Sequence, residues 1–406
     1  MLRFINGWVP YWQHDVALSA IENNKNAFND VLLFGWSCKA DLSVLSQWYD
    51  PVPVARLKAL GLPYWTTFTS AMTGPAAADL FDSNEKSQKM IDRMVATATG
   101  IGATGIDVDF ESINFNHSGD SLPRTQSGYP RFLAQLKASA GSLKVSATIP
   151  ARIADDDPDW KTYDFKKIGE SVDLVRVMAY DHHTGSDSMG PVAPMDWYVK
   201  VLSYSKTRVP PSRLQMGVPA YGYRWPDGKT IFSKDATSLA SANGTSVAYD
   251  ATAKEGTFSY GNSTVWVATP KSMADRVKLC KVAGINGVAI WSIGDEDPAS
   301  WPAMRLQLVE DKPVVNLKRV IAAAKRDPAL FFNRKTYPRD VLVLQRALYQ
   351  EGLLVQKFVN GSYNKKTVIA YSEWQKRLGY TGSDADGIPG LRSLKTLGSK
   401  YNFIVV

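Results

Sequence analysis

The feature that most constrains this chain is a repeated alternation: eight apolar, β-branched or aromatic runs separated by stretches that read as helix. In order the runs are RFINGWVPYW (3–12), DVLLFGW (30–36), LPYWTTFTS (62–70), GATGIDVDFE (102–111), LKVSATIP (143–150), VDLVRVMAYD (172–181), LQMGVPAYGY (214–223) and GINGVAIWSIG (284–294). Eight strands alternating with helices is the count of an α/β chain folded as a (β/α)8 TIM barrel. The stretch 83–100, SNEKSQKMIDRMVATATG, has Ser83 at an N-cap position, apolar residues at helical spacing and a terminal Gly, and 270–284 repeats the design before the last run. Residues 224–268 are too long for a simple crossover and are rich in Thr, Ser, Gly and aromatics. They read as a small α+β insertion between strands seven and eight, rising from the C-terminal face as one wall of a cleft.

Past about residue 310 the alternation stops. NLKRVIAAAKRD (316–327) reads as a linking helix, 328–338 as a connector, and the remainder as three short helices with Gly-containing turns. The expected domains are therefore a barrel over 1–315, a linker over 316–337 and a small all-α module over 338–406. The formal net charge is +8, and residues 334–406 hold twelve Lys or Arg against five Asp or Glu. That concentration points to an anionic polymer or surface as the tail's partner: nucleic acid, a membrane, or a teichoic-acid-bearing cell wall.

At 406 residues, 45% hydrophobic and 21% charged, the chain is long enough for a large core and reads as soluble and globular. No run approaches the roughly 18 consecutive apolar residues of a membrane span, and MLRFINGWVPYWQHD lacks an apolar core with a cleavage site. Neither an export signal nor a membrane anchor is expected. Cys38 and Cys280 share no metal-type spacing and read as buried thiols, and no metal or cofactor is implied.

In TGIDVDFESI (104–113), Asp107, Asp109 and Glu111 occupy alternate positions with Ile106, Val108 and Phe110 between them. Alternate residues of a strand share a face and lie roughly 6.6 Å apart along it. In a barrel the apolar face packs on the outer helices, so the acids point inward, with Glu111 at the C-terminal rim where barrel enzymes keep their chemistry. Enclosing three carboxylates disfavours their charged forms, so some should share protons, raising at least one acid toward the range of a general acid. An acidic edge strand would not carry Ile, Val and Phe on its other face, and calcium loops use more varied oxygen ligands.

These residues resemble the fourth-strand signature D-G-x-D-x-D-x-E of glycoside hydrolase family 18, the chitinases and related endo-β-N-acetylglucosaminidases. Thr104 stands at the first acid and Phe110 where chitinases usually have Trp, a departure shared with members that act on bacterial spore or cell walls. Further landmarks follow in order: MAYD with Met178, Tyr180 and Asp181, GVPAYGY with Tyr221, AIWSIGDED with Trp291, and GWVPYW with Tyr11. The resemblance implies a retaining mechanism in which the substrate's own N-acetyl oxygen attacks the anomeric carbon. Glu111 would be general acid and then base, Asp109 would orient the acetamido group, and Asp107 would share a proton with Asp109. Tyr180 would bond the acetamido oxygen and Asp181 help hold the distorted sugar, with Trp291 stacked beneath it. Tyr11, Met178 and Tyr221 would line the sugar site, and His182 and His183 read as loop residues.

Residues 338–398 resemble a peptidoglycan-binding module, through Leu344, Gln345 and Leu348, then Asn360, Gly361, Tyr363 and Thr367, then Trp374, Gln375 and Gly379. Together the two resemblances imply an endo-β-N-acetylglucosaminidase acting on peptidoglycan rather than on nucleic acid. We expect a monomer made in the cytoplasm that acts at the bacterial wall, as a phage endolysin does. A spore-cortex or autolytic enzyme, a chitinase and a noncatalytic carbohydrate-binding barrel are the alternatives.

Overall fold

The computed structural model describes residues 4–48, 52–308, 312–329 and 335–406. The chain forms two compact units, residues 1–309 and 310–406. In the first, each of the eight apolar runs contains a strand: β1 (Ile5–Pro10), β2 (Val31–Cys38), β3 (Tyr64–Ser70), β4 (Gly105–Asp109), β5 (Lys144–Pro150), β6 (Leu174–Met178), β7 (Leu214–Pro219) and β8 (Gly287–Trp291). Each pairs parallel with the next, and β8 pairs with β1, so the sheet closes as a barrel. Strands covered on both faces can be apolar throughout, and all six residues of β1 and of β7 are buried. On the outward face of β4, Ile106 and Val108 are buried and the ring of Phe110 lies 6.2 Å from Tyr129 and 6.0 Å from Phe132 of the helix Ser121–Ser139.

The helix Asn84–Ile101 starts where Ser83 accepts from the Lys86 N–H and ends at Gly102, whose φ of 73° only glycine adopts freely. Pro270–Ala283 begins with a capping box between Thr269 and Ser272 and ends at Gly284 in the same left-handed conformation. Cys38 and Cys280 are buried free thiols, and no helix among the described residues is long and apolar enough to cross a membrane.

The insertion begins three residues earlier than its composition suggests. Pro219 ends β7, and Tyr221–Trp225 then pairs antiparallel with Ser263–Val267 and Lys229–Phe232. Five strands and the helix Ser233–Ala242 enclose a small core of Ile231, Ala236, Ala240, Phe258, Val265 and Val267. Glu255 ties this wall to the barrel: its fully buried carboxylate accepts from the Val192 and Ala193 N–H groups at 2.9 and 2.8 Å and from Arg276 Nη2 at 2.7 Å. Arg276 is equally buried, donates to the Ser272 carbonyl at 2.9 Å and lies 5.6 Å from the Tyr198 ring centroid.

The second unit is helical, with Leu317–Arg326, Pro338–Gln350, Lys365–Arg377 and Leu391–Tyr401, and adds a two-residue parallel pairing of Val314–Val315 with Ile404–Val405. The segment expected as a linker is instead partly core. Asn316 caps Leu317–Arg326, and Val320 and Ala323 are fully buried beside Val341, Leu344 and Leu348, because the helix has one apolar stripe to cover. Residues 330–334 of the expected connector lie outside the described residues. Two buried glutamines hold the turns. Gln345 accepts from the Asn360 and Gly361 N–H groups and donates to the Ser362 carbonyl and Thr367, while Gln375 accepts from the Gly387 N–H and donates to the Ile388 carbonyl.

Removing one partner of a fully buried ion pair strands the other charge. Arg276→Met should therefore lower the unfolding free energy at pH 7 by about 3–5 kcal/mol, read by guanidinium unfolding. Burial already raises the Glu255 carboxyl above its ordinary value. The unpaired acid takes up a proton more readily still, so the deficit should shrink as pH falls and grow as pH rises.

Candidate active site

Asp107 and Asp109 lie on the inward face of β4, and Glu111 follows two residues later at the rim. Asp107 is fully buried and surrounded by donors. Ser146 and Thr148 of β5 reach Oδ1 at 2.6 and 2.9 Å, and Thr67 of β3 reaches Oδ2 at 3.1 Å. Trp8 Nε1 of β1 reaches Oδ2 at 3.3 Å, and Arg176 Nη1 of β6 reaches Oδ1 at 3.2 Å. Asp109 is 5% exposed and its Oδ1 has no hydrogen-bond partner. Burial, with the charges of Glu111 and Asp107 adding to it, raises its carboxyl well above the ordinary range. Glu111 is open to solvent at the rim, yet the protein packed around it, and secondly the Asp181 carboxylate, raise its pKa as well. Tyr163 fixes this stretch of backbone, donating to the Phe110 carbonyl at 2.5 Å and the Glu111 carbonyl at 3.3 Å.

Beyond β6, Tyr180 is 8% exposed, with its ring 6.2 Å from Tyr221. Asp181 has a φ of 59°, a conformation Asp tolerates better than most residues. It accepts from the Tyr221 and Tyr223 hydroxyls at 2.5 and 3.0 Å. The insertion therefore supplies two phenols to the site. Burial raises the Asp181 carboxyl and these phenols counteract it.

The opposite side of the lumen is aromatic. Trp291, at the end of β8, has ring centroids of Phe34, Trp8 and Trp12 at 4.9, 5.8 and 6.3 Å, all edge-on. Its peptide to Ser292 is cis, and Gln13 Nε2 donates to both Ser292 and Asp295 at 2.9 Å just beyond it. Trp12 is 54% exposed, and Tyr11 packs edge-on against it at 4.9 Å.

The structure thus joins Asp109, Glu111, Asp107, Tyr180, Asp181 and Tyr221 through charge or hydrogen bonds. Trp291 and Tyr11 stand on the aromatic side, and Met178 is half-buried at the end of β6. Asp107 is engaged by Arg176 and four other donors. His182 and His183 pack on each other at 4.8 Å on the rim loop, and among the described residues no cluster of His, Cys, Asp or Glu could hold a metal. Trp8, Thr67, Ser146, Thr148, Arg176 and Tyr223 escaped the sequence reading. Their signal is present, since Ser146 and Thr148 are polar at alternate positions of a buried strand and Arg176 is a cation inside an apolar run.

A parallel barrel with a carboxylate series ending at its rim, facing an aromatic floor, offers a polar side and an apolar side that suit a sugar ring. The sequence profile of Glycosyl hydrolases family 18 matches residues 72–297, more than half of the chain, and the chain belongs to that family. It is 29% identical over 246 residues to the uncharacterized glycosylase YvbX of Bacillus subtilis (strain 168), covering 57% of this chain and 69% of that one. It is also 29% identical over 229 residues to the cortical fragment-lytic enzyme of Bacillus anthracis, covering 52% and 51%. The chain therefore spans about half the length of that relative. Among solved structures, a chitinase from Chromobacterium violaceum ATCC 12472 superposes with a TM-score of 0.68 at 25% identity, over 76% of this chain and all of that one. The Bacillus cereus spore cortex-lytic enzyme SleL shares the fold, with a TM-score of 0.68 at 21% identity over 74% and 73%.

Asp181 raises the Glu111 carboxyl, so removing its charge lowers that group toward its ordinary value. If protonated Glu111 is the active form, the alkaline limb of the kcat–pH profile of Asp181→Asn should move to lower pH. Oligosaccharide hydrolysis from pH 4 to 9 measures it.

Proposed function

We propose that this chain is a cell-wall lytic endo-β-N-acetylglucosaminidase, cleaving the β-1,4 bond after N-acetylglucosamine in peptidoglycan. The observation that carries the reading is the Glu111 carboxyl, raised in pKa and open at the rim directly above the buried Asp109. Protonated Glu111 gives its proton to the leaving glycosidic oxygen. The substrate's acetamido oxygen closes on the anomeric carbon, and Asp109, with the Tyr180 hydroxyl, steadies the developing oxazolinium ion. The Glu111 carboxylate then takes a proton from the attacking water, whose oxygen opens the ring with net retention. Trp291 lies under the sugar, and Asp181, held by Tyr221 and Tyr223, positions it.

Peptidoglycan over chitin is supported by the relatives named as cortical fragment-lytic enzymes and by the second unit. That unit's motif residues, Gln345, Asn360, Gly361 and Thr367, are joined in one hydrogen-bonded cluster. Its basic surface suits an anionic wall. A phage endolysin and a spore-cortex enzyme perform the same cleavage, and the cortical relatives favour the second.

Glu111→Gln should lose ~10² to 10⁴-fold in kcat with wall binding retained. Undiminished hydrolysis would refute the role given to Glu111. Reducing ends should appear from purified peptidoglycan, with mass spectrometry finding N-acetylglucosamine at the new reducing end. Turnover of chitin alone would overturn the substrate. Deleting residues 310–406 should weaken sedimentation with purified walls far more than cleavage of soluble oligosaccharides.

A further inference from the structure

Arg176 is a fully buried cation in the middle of the barrel, and nothing in the proposed chemistry uses it. Its Nη1 donates to Asp107 Oδ1 at 3.2 Å and to the Ser146 hydroxyl, which itself donates to the same Asp107 oxygen. Its Nη2 lies 3.6 Å from Asp30 Oδ1, and its guanidinium carbon lies 4.7 Å from the Trp65 ring centroid. Every neighbour of the Asp107 carboxylate donates to it, although the Thr67, Ser146 and Thr148 hydroxyls are also able to accept. The Trp8 and Arg176 N–H groups cannot accept at all. A proton placed on Asp107 would remove the carboxylate that pairs with the fully buried Arg176 charge. Asp109, one step up the same face, has the opposite surroundings: an inward carboxylate oxygen with no donor.

We propose that Arg176 is a positioning residue that holds Asp107 as a fixed carboxylate, confining the exchangeable proton of the acid series to Asp109 and Glu111. The column then alternates in charge along the lumen, with Asp30, Arg176 and Asp107 below and a proton-sharing pair above. Asp107 repels charge on Asp109 and so directs the proton upward, toward the reacting end. This rests on the reading of Glu111 as the acid.

The charged or titratable groups facing this column are Asp30 beside β2, Asp109 and Glu111 beside Asp107, Tyr129 on the helix after β4, and Tyr180 and Asp181 after β6. Their side chains are unchanged in the following comparison, and Arg176→Lys controls for Asp30, whose raised carboxyl the Arg176 charge holds down. Arg176→Met removes the cation, so the alkaline limb of the kcat–pH profile should move up by on the order of one pH unit. Asp107→Asn removes the anion and should move it down. Arg176→Met with Asp107→Asn restores local neutrality and should return the limb to the wild-type position, whatever the loss in kcat. Arg176→Lys keeps the charge and should leave the limb in place. Circular dichroism and thermal melts identify folded variants. If Arg176→Met alone does not fold, the double variant and Asp107→Asn still decide the matter, because a displaced limb in the first or an unmoved one in the second overturns the proposal. A folded Arg176→Met with lowered stability and an unmoved limb also overturns it, leaving Arg176 a purely structural residue. Absence of hydrolysis by the wild-type chain would instead refute the reading of Glu111, a result separable from an active enzyme whose limb does not respond.

Discussion

The barrel interior is organised around one constraint: a carboxylate excluded from water must be met by donors or must keep its proton. β4 places Asp107 and Asp109 inside a closed sheet, where either one alone carries a large desolvation penalty. Asp107 is met by donors from four neighbouring strands, β1, β3, β5 and β6. Asp109 has none on its inner oxygen, and its pKa is raised. The same strand therefore holds two buried carboxyl groups in opposite surroundings, two residues apart. That difference lies in the neighbouring strands and not in β4 itself.

Closure of the sheet also sorts the lumen into two sides. The polar side comes from Thr67, Ser146, Thr148 and Arg176 around the acids, and the aromatic side from Trp8, Phe34 and Trp291. Trp8 belongs to both, with its ring against Trp291 and its N–H on Asp107. A pyranose has the same duality, with an apolar face and a polar rim. The insertion completes the polar side from outside the barrel, because Tyr221 and Tyr223 hold Asp181. The buried Glu255–Arg276 pair fixes the wall that carries them.

The eight strands were legible because parallel barrel strands are buried on both faces and read as continuous apolar runs. The inward direction of the β4 acids followed from period-two alternation, with Phe110 seated on Tyr129 and Phe132 on the other face. The partners of Asp107 were harder to read. Each is one polar residue in a separate strand, and only the register of four strands brings them together. Tyr223 was missed because it belongs to a strand whose pairing is set by the insertion's antiparallel sheet. The expected linker failed for a related reason: a short amphipathic helix looks the same whether it bridges two bodies or docks on one, and Val320 and Ala323 show that it docks.

In the second unit, Gln345 holds one turn through three backbone groups and the Thr367 hydroxyl, and Gln375 holds another through two backbone groups. Gly387 is equally constrained, since a Cβ there would lie 2.3 Å from the Val368 carbonyl oxygen. Most of the motif residues of this unit, among them Leu344, Gln345, Leu348, Tyr363, Thr367, Trp374 and Gln375, are thus committed to its interior. Side chains on its outer face carry none of these constraints, so they can be exchanged while the fold is left intact.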